Sequence, residues 1–147
     1  MTKVIITRGL PGSGKTTWAK SMQRKYPGKY IRLNKDDLRV MLHNNTHNEP
    51  EFRTQEMETF IHKARNALLE IALAEGKDII IDDTNLNPEY IETIKQIVGD
   101  KAEIEFKDFT NISLEECLKR NEQREKKVHE EVIHGMYDKY LKTEKKI

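Results

Sequence analysis

One cysteine, four prolines and one tryptophan are all that the 147 residues contain of these types. The lone Cys117 excludes an internal disulfide and fits a reducing compartment. Without a covalent staple the fold must rest on a buried core, which a chain of this length can supply. Long hydrophobic runs are missing as well. No segment approaches the roughly 20 apolar residues of a membrane span, and the opening stretch to Ile6 is too short for the apolar part of a secretion signal. Internal repeats, low-complexity tracts and interdomain linkers are absent from the sequence. Nor is charge of one sign in excess: 26 Lys and Arg meet 25 Asp and Glu, for a net +1. A single soluble, cytoplasmic domain over residues 1–147 is expected, with no membrane attachment. Monomer and homo-oligomer both remain open.

What is there is unevenly placed. Residues 1–39 hold ten Lys/Arg against two Asp/Glu, and residues 40–92 hold four against eleven. A basic first quarter suits a polyanionic ligand, and a solvated helix face explains it as well. Short apolar runs alternate with helical patterns. Val4–Ile6 reads as a strand ending at Gly9, followed by a basic helix from Lys15 to Lys25 that Tyr26-Pro27-Gly28 stops. A second strand spans Tyr30–Leu33, with a helix from Asp36 to Leu42 and a polar loop from His43 to Pro50. Helical spacing of Phe60, Ala64, Leu68, Ile71 and Ala72 predicts a long helix over Glu51–Glu75 with that face buried. Asp78–Asp82 reads as a strand buried on both faces, and Pro88 opens a helix to Val98. Ile104–Phe109 alternates as a more exposed strand. Ser113 and Glu116 form a capping box for the helix carrying Cys117, and a last helix runs from about His129 to Leu141. This alternation predicts an α/β fold, a small central parallel sheet flanked by helices.

Gly9-Leu10-Pro11-Gly12-Ser13-Gly14-Lys15-Thr16 is a complete G-x-x-x-x-G-K-[ST] loop, set after a strand and opening a helix. Backbone N–H groups in such a loop converge on phosphate oxygens at the positive end of the helix. Lys15 then reaches the β/γ-phosphates, and the Thr16 hydroxyl becomes a Mg²⁺ ligand. This predicts nucleoside triphosphate binding, with contacts assigned to Gly9, Gly12, Ser13, Gly14, Lys15, Thr16 and Thr17. Asp82 and Asp83, ending the third strand, are candidates for a Mg²⁺-bound water or an active-site arginine, or are strand-end turn residues. On the acceptor side, an Asp at 36 or 37 can take the proton of an attacking hydroxyl, and Arg39 is one turn from Asp36 and can hold a phosphate. Capping the helix is the other use for either Asp. Arg120 and Arg124 share a helix face at i,i+4, as a lid over the nucleotide or an exposed salt-bridging surface.

Four blocks, G-L-P-G-S-G-K-T-T-W-A, L-N-K-D-D-L-R, D-T-N-L-N-P-E and L-K-R-N-x-x-R, closely resemble the 5′-kinase domain of bacteriophage-type polynucleotide kinase-phosphatases. They occur in the same order at similar spacing over nearly the whole chain. The resemblance implies a P-loop kinase with a helical lid, moving the ATP γ-phosphoryl to the 5′-OH of DNA or RNA in nucleic-acid repair. It implies Lys15 and Thr16 on the ATP phosphates and Mg²⁺, Asp36 as general base, and Arg39 on the phosphate 3′ to the acceptor nucleotide. Asp83 would support the acceptor side, and Arg124 would be the lid arginine, with Arg120 beside it. The chain departs from that family in lacking the D-x-D-G-T phosphatase motif. Its start at Met1 favours a kinase-only protein over an excised domain. A nucleoside or sugar kinase, or a nucleotide-dependent binding module without transfer, is the alternative reading.

His129 and His134 are five residues apart, on different helix faces, so the stretch is not a zinc-protease motif. His43 and His47 lack an evident third ligand. Trp18 is expected in the core and Cys117 as a small buried hydrophobe.

Overall fold

A computed structural model describes residues 1–46, 48–125 and 127–142. Its elements in chain order are β1 (Lys3–Arg8), α1 (Lys15–Lys25), β2 (Tyr30–Leu33), α2 (Lys35–His43), a 3₁₀ turn (Pro50–Phe52) and α3 (Gln55–Ala74). Then come β3 (Asp78–Ile81), α4 (Pro88–Val98), β4 (Glu103–Asp108), α5 (Leu114–Glu122) and α6 (Glu130–Met136), which passes into a π-helical turn (Tyr137–Leu141). The strands form one parallel sheet in the order β2-β3-β1-β4. The expected α/β architecture is the observed one.

Strand periodicity sorts the core into two faces. Val4, Ile6, Ile79 and Ile81 point to one side, where Leu69, Ala72 and Leu73 of α3 and Ile94 and Val98 of α4 cover them. Ile5 and Ile80 point to the other, against Ala19 of α1 with Trp18 and Met22 beside it. A third cluster joins Leu10 of the glycine-rich loop to Leu86, Cys117, Ile133 and Leu141. The C-terminal helices are therefore docked on the loop itself. Cys117 is buried as expected, and Trp18 is only partly so.

Three boundaries of α2 and α3 differ from the sequence reading. α2 begins at Lys35 because Asn34 is its cap, accepting from the Asp37 N–H at 2.8 Å. Neither Asp36 nor Asp37 caps the helix. His43 closes α2 instead of opening the loop. α3 starts at Gln55, capped by Thr54, because Pro50–Phe52 turns as 3₁₀. The buried face of α3 is also rotated from the expected one. Ile61, Arg65, Leu69, Ala72 and Leu73 face inward, whereas Phe60 and Ile71 are 54% and 60% exposed and Leu68 is exposed as well. Arg65 lies on the apolar stripe because it has a buried carboxylate to meet.

Candidate active site

The glycine-rich loop leaves β1 and wraps ahead of α1. Gly12 and Gly14 adopt φ values of 85° and 104°, a region L-residues avoid. A β-carbon on Gly12 would stand 2.6 Å from the Cys117 carbonyl oxygen, so α5 approaches the loop more closely than a side chain permits. The loop borders a cavity of about 840 Å³ that also reaches α2, α3, α4 and the C-terminal helices. Gly12, Gly14, Lys15, Thr16, Thr17, Asp36, Arg39, Asp83, Arg120 and Arg124 all line it. Gly9 and Ser13 do not. The Gly9 N–H donates to the Thr84 carbonyl, and Ser13 is buried beneath the loop with its carbonyl taking a bond from Arg120 Nη1 at 3.1 Å.

Lys15 is buried, and its Nζ donates to the Leu10 carbonyl at 2.6 Å and to Ser13 Oγ at 3.3 Å. Burial lowers its pKa to about 8, against the opposing pull of Asp82 and Asp83. An arriving triphosphate favours the ammonium, so the complex holds more protons than the free chain above that value. ATP binding at about pH 8.5 should therefore draw protons from the buffer. Calorimetry in buffers of different ionisation enthalpy reads this uptake. A binding enthalpy independent of the buffer at that pH would contradict it.

Thr16 and the end of β3 meet. Thr16 Oγ1 donates to Asp82 Oδ2 at 2.9 Å, while Asp82 Oδ1 is buried with no hydrogen-bond partner among the described residues. A hydroxyl beside a carboxylate with an unused buried oxygen suits a hard divalent cation. Asp83, the neighbour, turns elsewhere. Its Oδ1 accepts the Lys35 N–H at 2.9 Å, and Arg65 Nη1 stands 3.6 Å from its Oδ2. Burial raises the Asp83 pKa to about 6, with Lys35 and Arg65 opposing. The resemblance implies a role for Asp83 alone, and the fold gives Asp82 the contact with Thr16.

Across the cavity, Asp36 and Arg39 lie one turn apart on α2. Arg39 Nη1 donates to Asp36 Oδ1 at 2.7 Å, and its Nε and Nη2 grip both oxygens of Glu58 on α3 at 2.9 and 2.8 Å. Among the described residues, three of its five guanidinium N–H groups are engaged in this way. Lys35 is buried with its Nζ 4.4 Å from the centre of the Tyr90 ring, which also meets His62. Burial lowers the His62 pKa to about 4, helped by the Lys35 and Arg65 charges, so its ring is neutral. Glu58, His62, Lys35 and Tyr90 line the cavity and were not singled out from the sequence. Their signal was present: Glu58, His62 and Arg65 recur at 3–4 residue spacing on α3, marking a polar stripe that faces inward.

Arg120 and Arg124 are both at the cavity, but not on one helix face. α5 ends at Glu122, and Arg124 follows its last turn. Arg120 binds Glu116 at 3.0 Å as well as the loop. Elsewhere, His129 contacts the Asn48 carbonyl at 3.0 Å, His43 packs on Phe60, and His47 lies outside the described residues. Among the described residues, no helix is long and apolar enough to cross a membrane.

Residues 4–143 match the AAA domain family, nearly the whole length. The chain belongs to the AAA domain family. That AAA domain is a P-loop unit, which implies use of ATP. It is 29% identical over 151 residues to a putative bifunctional polynucleotide kinase/RNA ligase of Autographa californica nuclear polyhedrosis virus, covering 96% of this chain and 21% of that protein. It is 30% identical over 140 residues to the L-seryl-tRNA(Sec) kinase of Methanococcus maripaludis, covering 93% of this chain and 52% of that one. Its fold superposes with a TM-score of 0.80 and 27% identity on a chain of the Pnkp1/Rnl/Hen1 RNA repair complex, covering 99% of this chain and 46% of that one. The AAA domain thus spans from a fifth to about half the length of these relatives.

Proposed function

We propose that this AAA domain is a polynucleotide 5′-hydroxyl kinase that moves the γ-phosphoryl group of ATP to the 5′-OH end of DNA or RNA, in nucleic-acid repair. One observation carries the reading. The bonded pair Asp36–Arg39 opens onto the same cavity as Lys15 and Thr16, so a proton acceptor and an anion-binding arginine face the donor loop. The names of the viral kinase/ligase and of the RNA repair complex support a polynucleotide as acceptor. The kinase machinery is assigned to the single domain of residues 1–147, acting in a reducing, cytoplasmic compartment that the buried Cys117 suits.

In this mechanism the loop amides and Lys15 hold the β- and γ-phosphates, and Arg124 adds charge from the lid side. Arg120 anchors the lid to the loop through the Ser13 carbonyl. Thr16 and Asp82 would hold Mg²⁺, which supplies charge neutralisation to the phosphate oxygens. The acceptor oxygen bonds to the γ-phosphorus as the bond from that phosphorus to the β-bridging oxygen breaks. Asp36 takes the hydroxyl proton. Arg39 donates to the phosphate 3′ to the acceptor, steadied by Glu58. Asp83 holds the start of α2 through the Lys35 amide and so fixes where Asp36 sits.

Transfer of labelled phosphate should be efficient to a 5′-OH oligonucleotide, weaker to a 3′-phosphomononucleoside and weakest to a free nucleoside. Equal transfer to the free nucleoside would replace this reading with a small-molecule kinase. Arg39→Ala should raise the acceptor KM by about 10–100-fold, the loss of a charge-assisted hydrogen bond, and leave the KM for ATP near its starting value. A change confined to ATP would move Arg39 to the donor side.

A further inference from the structure

We propose that Arg32 is the resident counter-ion of the metal-side carboxylate, holding the Thr16–Asp82 pair neutral so that it rejects a free divalent cation and accepts one already bound to its nucleotide. The proposal rests on the kinase reading, in which that pair faces Mg²⁺. Arg32 is a residue of β2, outside every motif of the sequence. Its side chain is 11% exposed and bridges two carboxylates. Nε donates to Asp82 Oδ2 at 2.8 Å, and Nη1 donates to Asp37 Oδ2 at 2.6 Å. Asp82, with its side chain 1% exposed, thus shares one oxygen between Arg32 and Thr16 and leaves Oδ1 without a hydrogen-bond partner among the described residues.

A buried carboxylate with an unused oxygen beside a hydroxyl would by itself attract any hard divalent cation. The guanidinium cancels that attraction. A bare dication entering here meets a neutral ion pair in place of a free carboxylate, and burial weakens the screening of its repulsion from the guanidinium. A cation arriving on a nucleotide polyphosphate carries net negative charge and meets no such barrier. Asp37 stands at the outer end of the same guanidinium, more than half exposed, and draws part of its charge away from Asp82. The two neighbours of Arg32 therefore pull in opposite senses. Removing Arg32 should tighten the binding of a free cation, and neutralising Asp37 should loosen it. A merely structural ion pair would change melting temperature in both variants and metal affinity in neither.

The test is Mn²⁺ binding to the full chain, followed by electron paramagnetic resonance, with and without ADP. The wild-type chain should bind Mn²⁺ weakly alone and much more tightly with ADP. Arg32→Gln should bind Mn²⁺ alone about tenfold tighter or more, and Asp37→Asn, which keeps an oxygen for Nη1, about threefold weaker. Unchanged or weaker binding by folded Arg32→Gln overturns the proposal. Should that variant not fold, Asp37→Asn decides alone, and equal or tighter binding overturns it. A wild-type chain that binds no Mn²⁺ even with ADP overturns the kinase site along with it. Wild-type binding that requires ADP, joined to an unresponsive Arg32→Gln, overturns only the role of Arg32.

Discussion

Lys15→Ala should reduce phosphoryl transfer by about 10³-fold, the scale of losing a principal charge on a developing transition state. The fold should survive. Lys15 is buried in the chain, and burial lowers its pKa to about 8, so carrying the ammonium there costs stability in the absence of ligand. The sign follows from linkage. A Lys whose folded pKa lies below its unfolded value destabilises the chain while charged, and this cost is full below about pH 8 and fades as pH rises towards the unfolded value. Alanine removes the cost, so the variant should melt at no lower temperature than the wild type near neutral pH. The informative pair of measurements is the single-turnover rate and the melting temperature of one preparation. An inactive protein that melts normally supports a ligand-facing Lys15. Transfer near the wild-type rate by a folded variant would remove the kinase assignment.

Asp36→Asn should lower transfer by about 10²-fold or more while ATP binding is kept, because the amide preserves size and hydrogen bonding but takes no proton. Asp37 is the matched control. Both residues belong to the first turn of α2, and about 100° of helical rotation separates them. Asp36 turns to Arg39 and the cavity, whereas Asp37 turns to Arg32. Asp37→Asn should cost less than about threefold in single-turnover rate at saturating metal and acceptor. Those conditions keep altered binding from being read as altered chemistry. If Asp37→Asn proves the inactive variant and Asp36→Asn the active one, the general base has been misassigned while the phosphate loop stands.

Much of this was legible in sequence because it is local. The loop Gly9–Thr16 is contiguous, and its glycines, lysine and threonine act within a few residues of one another. Strand and helix alternation followed from apolar runs such as Ile79–Ile81, buried between α1 on one side and α3 and α4 on the other. Long-range choices were less legible. The apolar spacing of Phe60, Leu68 and Ile71 was real, but hydrophobicity alone could not say which of two adjacent stripes on α3 meets the sheet. The stripe with Ile61, Leu69, Ala72 and Leu73 is the one that does, and Arg65 within it meets Asp83. The i,i+4 spacing of Arg120 and Arg124 predicts one helical face, yet α5 ends at Glu122 and both reach the cavity by different routes.

By itself the sequence determined an α/β unit with a phosphate-binding loop, an Asp36–Arg39 pair one turn apart and a late pair of arginines, because periodicity and contiguous motifs need no partner strand. Only the tertiary structure gave Asp82 and Asp83 their separate partners. They are neighbours in the chain, and the resemblance implies a role for Asp83 alone. The parallel pairing of β3 between β1 and β2 turns Asp82 to Thr16, 66 positions away, and Asp83 to the Lys35 amide, 48 away. Arg32 likewise acquires its partners from β3 and α2. Which carboxylate meets a hydroxyl, a backbone N–H or a guanidinium depends on chain segments brought together by the sheet, and the energy that selects each pairing exists only once those segments are desolvated side by side.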